Sequence, residues 1–159
     1  MTDNATTDEK AYRRAAAACA RREYCRTDWL RKFAAAGLGR QEAEEAVGRL
    51  VGEGFIDEGR YARAYVHDKV AFDRWGPVKI RQALRAKGLG DDDIDQALAG
   101  VKHAETAENL RRLLQERARR LHDDDPRTRR MKLLRLAAAR GYDAHLAIET
   151  VGALARNDE

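Results

Sequence analysis

Trp29-Leu-Arg-Lys-Phe-Ala-Ala-Ala-Gly-Leu38, Ile80-Arg-Gln-Ala-Leu-Arg-Ala-Lys-Gly-Leu89 and Leu133-Leu-Arg-Leu-Ala-Ala-Ala-Arg-Gly-Tyr142 are three versions of one pattern. Their glycines, Gly37, Gly88 and Gly141, are 51 and 53 residues apart. Apolar residues stand eight and four positions before each glycine and one after it: Trp29, Phe33 and Leu38; Ile80, Leu84 and Leu89; Leu133, Ala137 and Tyr142. A glycine that permits positive φ, followed by an apolar residue that folds back on the helix, is the pattern of a helix C-terminus. A second helix follows each time, with apolar residues six, ten and thirteen positions past the glycine: Ala43, Val47 and Leu50; Ile94, Leu98 and Val101; Ala147, Val151 and Leu154. That spacing is a stripe of period 3.6.

Each pair is preceded by a further helix, over Ala11 to Tyr24, Glu58 to Asp73, and Glu105 to Leu121. Helix starts are marked by Thr27 as a cap, by Gly76-Pro77 and Asp125-Pro126, which put proline in the first turn, and by the carboxylates Asp91 to Asp93. The expected fold is all-α: a tandem array of three three-helix modules forming an elongated, curved molecule. The modules are read as 11–56, 57–102 and 103–155, with a disordered tail over 1–10 and a short C-terminal tail over 156–159. No Ser/Gly-rich linker separates them.

Composition agrees. The chain has 159 residues, 36% charged and 43% hydrophobic, with 6% aromatic residues and two prolines. Val, Ile and Thr are scattered singly, which leaves little from which to build a sheet. The longest uncharged stretch, Phe33 to Gly39, is seven residues, far short of the about 20 needed to cross a bilayer. Asp3, Asp8 and Glu9 stand where a secretory signal would carry Lys or Arg, so a cytoplasmic protein is expected. Cys19 and Cys25 lie six apart and are read as ordinary reduced thiols.

The net charge of +4 is a sum of opposed patches. Lys10 to Lys32 holds eight basic residues against Glu23 and Asp28; Arg74 to Lys87 holds five and no acid; Arg111 to Arg140 holds eleven against four acids. Between them, Arg40 to Glu58 carries six acids against two arginines, and Asp91 to Asp95 carries four acids. No phosphate-binding Gly-x-x-x-x-Gly-Lys-Ser/Thr run is present, and His67, His103, His122 and His145 are dispersed without partners at metal-ligand spacing. Helix capping accounts for Asp91 to Asp93, and a solvated turn before Pro126 for Asp123 to Asp125. Neither catalysis nor a cofactor is expected. On the helix from Pro77 to Lys87, Pro77, Ile80, Ala83 and Leu84 form an apolar stripe, with Arg81 and Arg85 on one flank and Lys79 on the other, so the helix should dock inward and offer cations outward. It has no Asn and only an isolated Gln, which argues against reading of base sequence.

Glu53-Gly-Phe-Ile-Asp-Glu-Gly-Arg-Tyr-Ala-Arg-Ala-Tyr-Val66, followed by Arg74-Trp-Gly-Pro-Val-Lys-Ile-Arg-Gln-Ala-Leu-Arg-Ala-Lys-Gly-Leu89, resembles the signature of the RecX regulatory proteins. Ala20-Arg-Arg-Glu-Tyr-Cys-Arg-Thr-Asp-Trp-Leu-Arg-Lys-Phe33 is similar to that family's first module. The likeness runs from about Tyr12 to Leu154. Cys25 departs from the family's usual small hydroxyl residue, Trp29 and Phe33 are bulkier than usual, and the third module matches by spacing only. The resemblance implies a non-enzymatic regulator of DNA repair, recombination and the SOS response. Such a protein binds the RecA recombinase and its filament on single-stranded DNA, and inhibits filament growth, ATP hydrolysis, strand exchange and co-protease activity. On that reading Arg74, Lys79, Arg81, Arg85 and Lys87 are expected to contact RecA or DNA phosphates. Tyr61, Tyr65, Gly76, Pro77, Ile80 and Leu84 are expected to set the fold of the middle module, and the protein is expected to be a monomer. The rival readings are a free-standing helix-turn-helix-like nucleic-acid-binding module and a helical scaffold for another protein.

Overall fold

The computed structural model describes residues 2–122 and 125–157. Among them are nine helices and no strand: α1 Thr2–Arg21, α2 Arg26–Ala35, α3 Arg40–Gly52, α4 Glu58–Ala71, α5 Pro77–Ala86, α6 Asp91–Ala99, α7 His103–Ala118, α8 Pro126–Ala139 and α9 Ala144–Asn157. No helix among the described residues is long and apolar enough to cross a membrane.

The three repeated turns close alike. Leu38, Leu89 and Tyr142 donate their backbone N–H to the carbonyls of Phe33, Leu84 and Ala137, at 3.0, 3.2 and 3.0 Å. Gly37, Gly88 and Gly141 donate to Ala34, Arg85 and Ala138. These are the paired bonds of a Schellman ending, and they require the left-handed conformation that the glycines adopt, with φ of 98°, 85° and 92°. The residue after each glycine and the one four before it are buried. A fourth ending of this kind closes α3 at Gly54, where Phe55 donates to the carbonyl of Leu50 at 2.8 Å.

The chain divides into two compact units, one of residues up to Ala64 with Leu84–Ile94, the other of Tyr65–Ala83 with the chain from Asp95 onward. In the first, α1, α2 and α3 share a core of Tyr12, Ala15, Cys19, Trp29, Phe33, Leu38, Ala43, Val47, Leu50 and Ile56. In the second, α7, α8 and α9 share a core centred on Leu110, Leu114, Leu133, Ala137, Tyr142 and Val151. The division passes through α4, α5 and α6, each of which supplies residues to both units.

Three expectations are corrected. Residues 2–10, expected to form a disordered tail, belong to α1. No glycine or proline interrupts that helix, and its Glu9 pairs with Arg49 of α3 at 3.1 Å. Arg156 and Asn157 likewise continue α9 rather than starting a tail. Thr27 does not cap α2. The cap is Cys25, because Asp28 at the third helical position accepts the Cys25 N–H at 3.1 Å and draws the chain into the helix earlier. Asp125 does cap α8, accepting the Thr128 N–H at 2.9 Å, whereas Asp123 and Asp124 of that triplet lie outside the described residues. The thiols of Cys19 and Cys25 are free and buried.

Gly76 serves a different need from Gly37. Its N–H donates to the carbonyl of Arg140 at 2.7 Å, and a Cβ there would lie 2.5 Å from the carbonyl oxygen of Gly141. A Cβ on Gly37 would meet nothing within 4 Å, so only its φ of 98° resists substitution. Gly37→Ala should therefore cost about 1–2 kcal/mol, the left-handed penalty, and Gly76→Ala should cost more, about 2–3 kcal/mol, because backbone must move apart. Urea denaturation of the two variants checks the order; equal losses would show that the contact at Gly76 yields readily.

Candidate functional site

The segment Arg74 to Lys87, with five cations and no acid, enters on a strained turn. Arg74 has φ of 53°, the one non-glycine residue with positive φ among those described. Two bonds hold it: Tyr142 donates its hydroxyl to the Arg74 carbonyl at 2.8 Å, and the next residue, Trp75, donates its N–H to the carbonyl of Lys69 at 3.0 Å. Burial pushes the Tyr142 phenol up to about 12, so it remains a donor throughout the ordinary pH range. Arg140 donates to the Asp73 carbonyl at 2.9 Å, and Val78 donates its N–H to that of Gly141 at 2.9 Å. The start of α5 is thus laid along the turn between α8 and α9.

Within this unit the cations are engaged. Arg74 pairs with Glu116 of α7 at 2.8 Å, which holds the Glu116 carboxyl below its usual range. Arg81 pairs with Asp95 of α6 at 2.7 Å. Lys79 lies over the Trp75 indole at 4.3 Å from the ring centre, and Lys69 lies over the same ring at 4.5 Å, so one indole serves two ammonium groups. Phe72, which ends the loop's approach, is 78% exposed.

In the first unit, Arg85 pairs with Asp91 at 3.0 Å and Lys87 with Asp28 at 3.7 Å. The Lys87 carbonyl accepts the Thr27 hydroxyl at 2.8 Å. Asp28 is buried. Burial alone would raise its carboxyl, but hydrogen bonding from Cys25 and the charges of Lys87 and Arg31 outweigh that and hold it below the usual carboxylate range. Glu58 shows the opposite balance: burial pushes its carboxyl up against the backbone bond from Arg26, and its Oε2 has no partner.

The expectation that α5 offers its cations outward is therefore corrected in part. Arg85 is exposed, while Arg74, Lys79, Arg81 and Lys87 are half-buried, drawn onto carboxylates or an indole of their own unit. Of the residues expected to set the middle fold, Tyr61, Gly76, Ile80 and Leu84 are buried, Tyr65 is half-buried and Pro77 opens α5 at the surface. Sequence reading missed Asp28, although an acid three residues after a cap is a capping signal; cysteine as the cap concealed it. It also missed the indole bracket, because Lys69 and Lys79 come together only in the fold.

Comparison with known proteins places this segment. Residues 57–98 match the family model described as RecX, second three-helix domain. Regulatory protein RecX of Thermus thermophilus is 33% identical over 130 residues, 82% of each chain. The chain belongs to the RecX family of regulatory proteins. Regulatory protein RecX of Xanthomonas campestris pv. campestris is also 33% identical, over 140 residues, covering 87% of this chain and 83% of the relative. The crystal structure of a regulatory protein RecX superposes with a TM-score of 0.85 at 28% identity, over 93% of this chain and 74% of the other. RecX from Lactobacillus salivarius, at 21% identity and a TM-score of 0.81, shares the fold over 94% and 97% of the two chains. The RecX domain match begins one residue before α4 and ends one before the close of α6, so it contains Arg74, Lys79, Arg81, Arg85 and Lys87 together.

The depressed Asp28 carboxyl sets a pH signature for this RecX protein. A folded-state pKa below the unfolded value contributes stability that is present above the unfolded pKa and is lost as pH falls through the folded one. Asp28→Asn should cost about 1.5–3 kcal/mol at pH 7, the range for hydrogen bonds to a charged group, and clearly less at pH 2. Denaturation at the two pH values measures this, and an equal cost at both would remove the ionised carboxylate from the account.

Proposed function

We propose that the protein is a non-enzymatic regulator of the RecA recombinase: it binds the RecA filament on single-stranded DNA and inhibits filament growth, ATP hydrolysis, strand exchange and co-protease activity. The observation that carries the reading is the match of residues 57–98 to the RecX second three-helix domain, the stretch that also holds five basic residues without an acid between Arg74 and Lys87. In this proposal Arg74, Lys79, Arg81, Arg85 and Lys87 supply contacts to the filament or to DNA phosphates, and the protein acts as a cytoplasmic monomer.

The internal pairing of these cations is compatible with that role. Exposed or half-exposed ion pairs such as Arg81 with Asp95 and Arg85 with Asp91 contribute only about 0–1 kcal/mol each, so exchanging a carboxylate for a phosphate or a partner's carboxylate costs little. The intramolecular partners also hold the guanidinium groups in place before binding, which reduces the entropy lost on contact. Regulation needs no chemistry of its own here, since a protein that binds one state of a filament shifts the equilibrium by mass action.

The test is RecA-catalysed, single-strand-dependent ATP hydrolysis measured with increasing amounts of this protein. A substoichiometric fall is expected; tight, salt-sensitive DNA binding with no effect on RecA would favour the free-standing nucleic-acid module instead. Replacing Arg81 and Arg85 together by Glu should weaken the inhibition while helicity and melting stay close to the parent. Undiminished inhibition would remove α5 from the contact surface.

A further inference from the structure

The two guanidinium groups of α5, Arg81 and Arg85, are paired with carboxylates of their own units, whereas three on the solvent face of α8 are paired with no described carboxylate. This helix carries Arg127, Arg129, Arg130, Lys132 and Arg135 and no acid. Arg129 turns inward and donates to the carbonyls of Leu121 at 3.1 Å and Ala118 at 3.5 Å, closing the end of α7. Leu133 and Ala137 are buried in the core. At 100° per residue the opposite side presents Arg127, Met131 and Arg135 in one row, with Arg130 beside it. All four are exposed. Arg127, Arg130 and Arg135 form no ion pair with a described carboxylate, whereas Arg74, Arg81, Arg111 and Arg112 of the same unit all do. The described acid nearest in sequence, Asp125, is turned onto the helix N-terminus by the Thr128 N–H and hydroxyl.

The geometry points to the solvent face of α8 as a direct binding surface for the phosphate backbone of single-stranded nucleic acid, with Arg127, Arg130 and Arg135 as its contacts. Unpaired guanidinium groups at one- and two-turn spacing suit a polymer of regularly placed anions, and their planar donors match phosphate oxygens. The face carries no aromatic ring, and its exposed apolar side chains are Met131 and the small Ala138, with Leu134 half-buried against the core between the arginines. It therefore lacks the stacking platform of a base reader and the buried aromatic anchors of a protein hot spot. It also lacks the apolar half that inserts into a membrane. What is left is attraction to phosphates without sequence preference. That the strand is single rests on the RecA reading above; the charge argument does not.

The test uses the full chain without RecA. Binding of a fluorescent oligothymidylate of about 30 nucleotides, enough to span several of the usual single-strand sites, is followed by anisotropy across a series of salt concentrations. Each single-strand phosphate contact contributes about 0.7 to the slope of log K against log salt, so Arg127→Gln, Arg130→Gln and Arg135→Gln combined should lower the slope by about 2 and weaken low-salt binding tenfold or more. Glutamine is a good helix former, so circular dichroism should be unchanged. A control with Arg13, Arg14 and Arg40 changed to Gln removes the same charge from exposed positions in the other unit and should leave the slope near the parent value. The inference is overturned if the parent shows no salt-dependent binding, if the α8 variant keeps the parent slope, if the control loses as much, or if a duplex of the same length or an anionic vesicle is bound in preference. An α8 variant with unchanged DNA binding but lost action on RecA would make the face a protein contact and overturn it as well. Strand binding that falls as expected in a protein without effect on RecA would support it while sinking the earlier reading.

Discussion

Backbone approaches backbone where Gly76 and Val78 donate their N–H groups to the carbonyls of Arg140 and Gly141. Two bonds of 2.7 and 2.9 Å without intervening side chains are possible only because both sides of the contact are glycine. A Cβ on Gly141 would meet the backbone nitrogen of Lys79 at 2.5 Å. Once this contact forms, the direction in which α5 leaves its first turn is set, and the positions of Arg74, Lys79 and Arg81 follow. The left-handed φ of Arg74 belongs to the same arrangement, held by the Tyr142 hydroxyl rather than favoured by its own backbone. The RecX match spans Gly76 but not Gly141, so one half of this contact lies outside the matched domain.

Much of the helix pattern was legible because it rests on local rules. Glycine in the left-handed region with an apolar residue after it fixes helix ends, and this reappears as hydrogen bonds and burial at Gly37, Gly88 and Gly141; the 6, 10, 13 stripe is fully buried after Gly37, while its outer members Leu98, Val101 and Leu154 are half-buried. Where a local rule had a competitor, it failed. Thr27 has the side chain of a good cap, but the carboxylate of Asp28 could reach the Cys25 N–H, and Thr27 was left to bond the Lys87 carbonyl. The acid-rich start of the chain reads as a solvated tail until Glu9 finds Arg49 and Tyr12 is buried beneath it, contacts forty residues apart that no window of sequence contains.

The charge pattern was legible as a sum and not as a surface. Five basic residues without an acid look like an exposed cationic stretch, yet Glu116, Asp95, Asp91 and Asp28 are brought to four of them by the fold, and the Trp75 indole to the fifth. Their counter-charges come from elsewhere in the chain, which is why a count along α5 overstates what it displays. On α8 Arg129 turns inward, but Arg127, Arg130 and Arg135 stay on display, because the helix has no acid of its own and its described N-terminal acid is occupied in capping.

The grip of Arg140, Gly141 and Tyr142 on residues 73–78 also ties two stretches of chain into one opening event. The Asp73 and Arg74 carbonyls and the Gly76 and Val78 amides all have their partners in the turn between α8 and α9. Exchange of those two amides with solvent is therefore governed by the persistence of a turn more than sixty residues downstream, and not by fraying of the helix they begin. The loop ahead of α5 and the C-terminal helix pair share one local stability, so whatever tightens or loosens the far end of the chain is felt at the strained arginine.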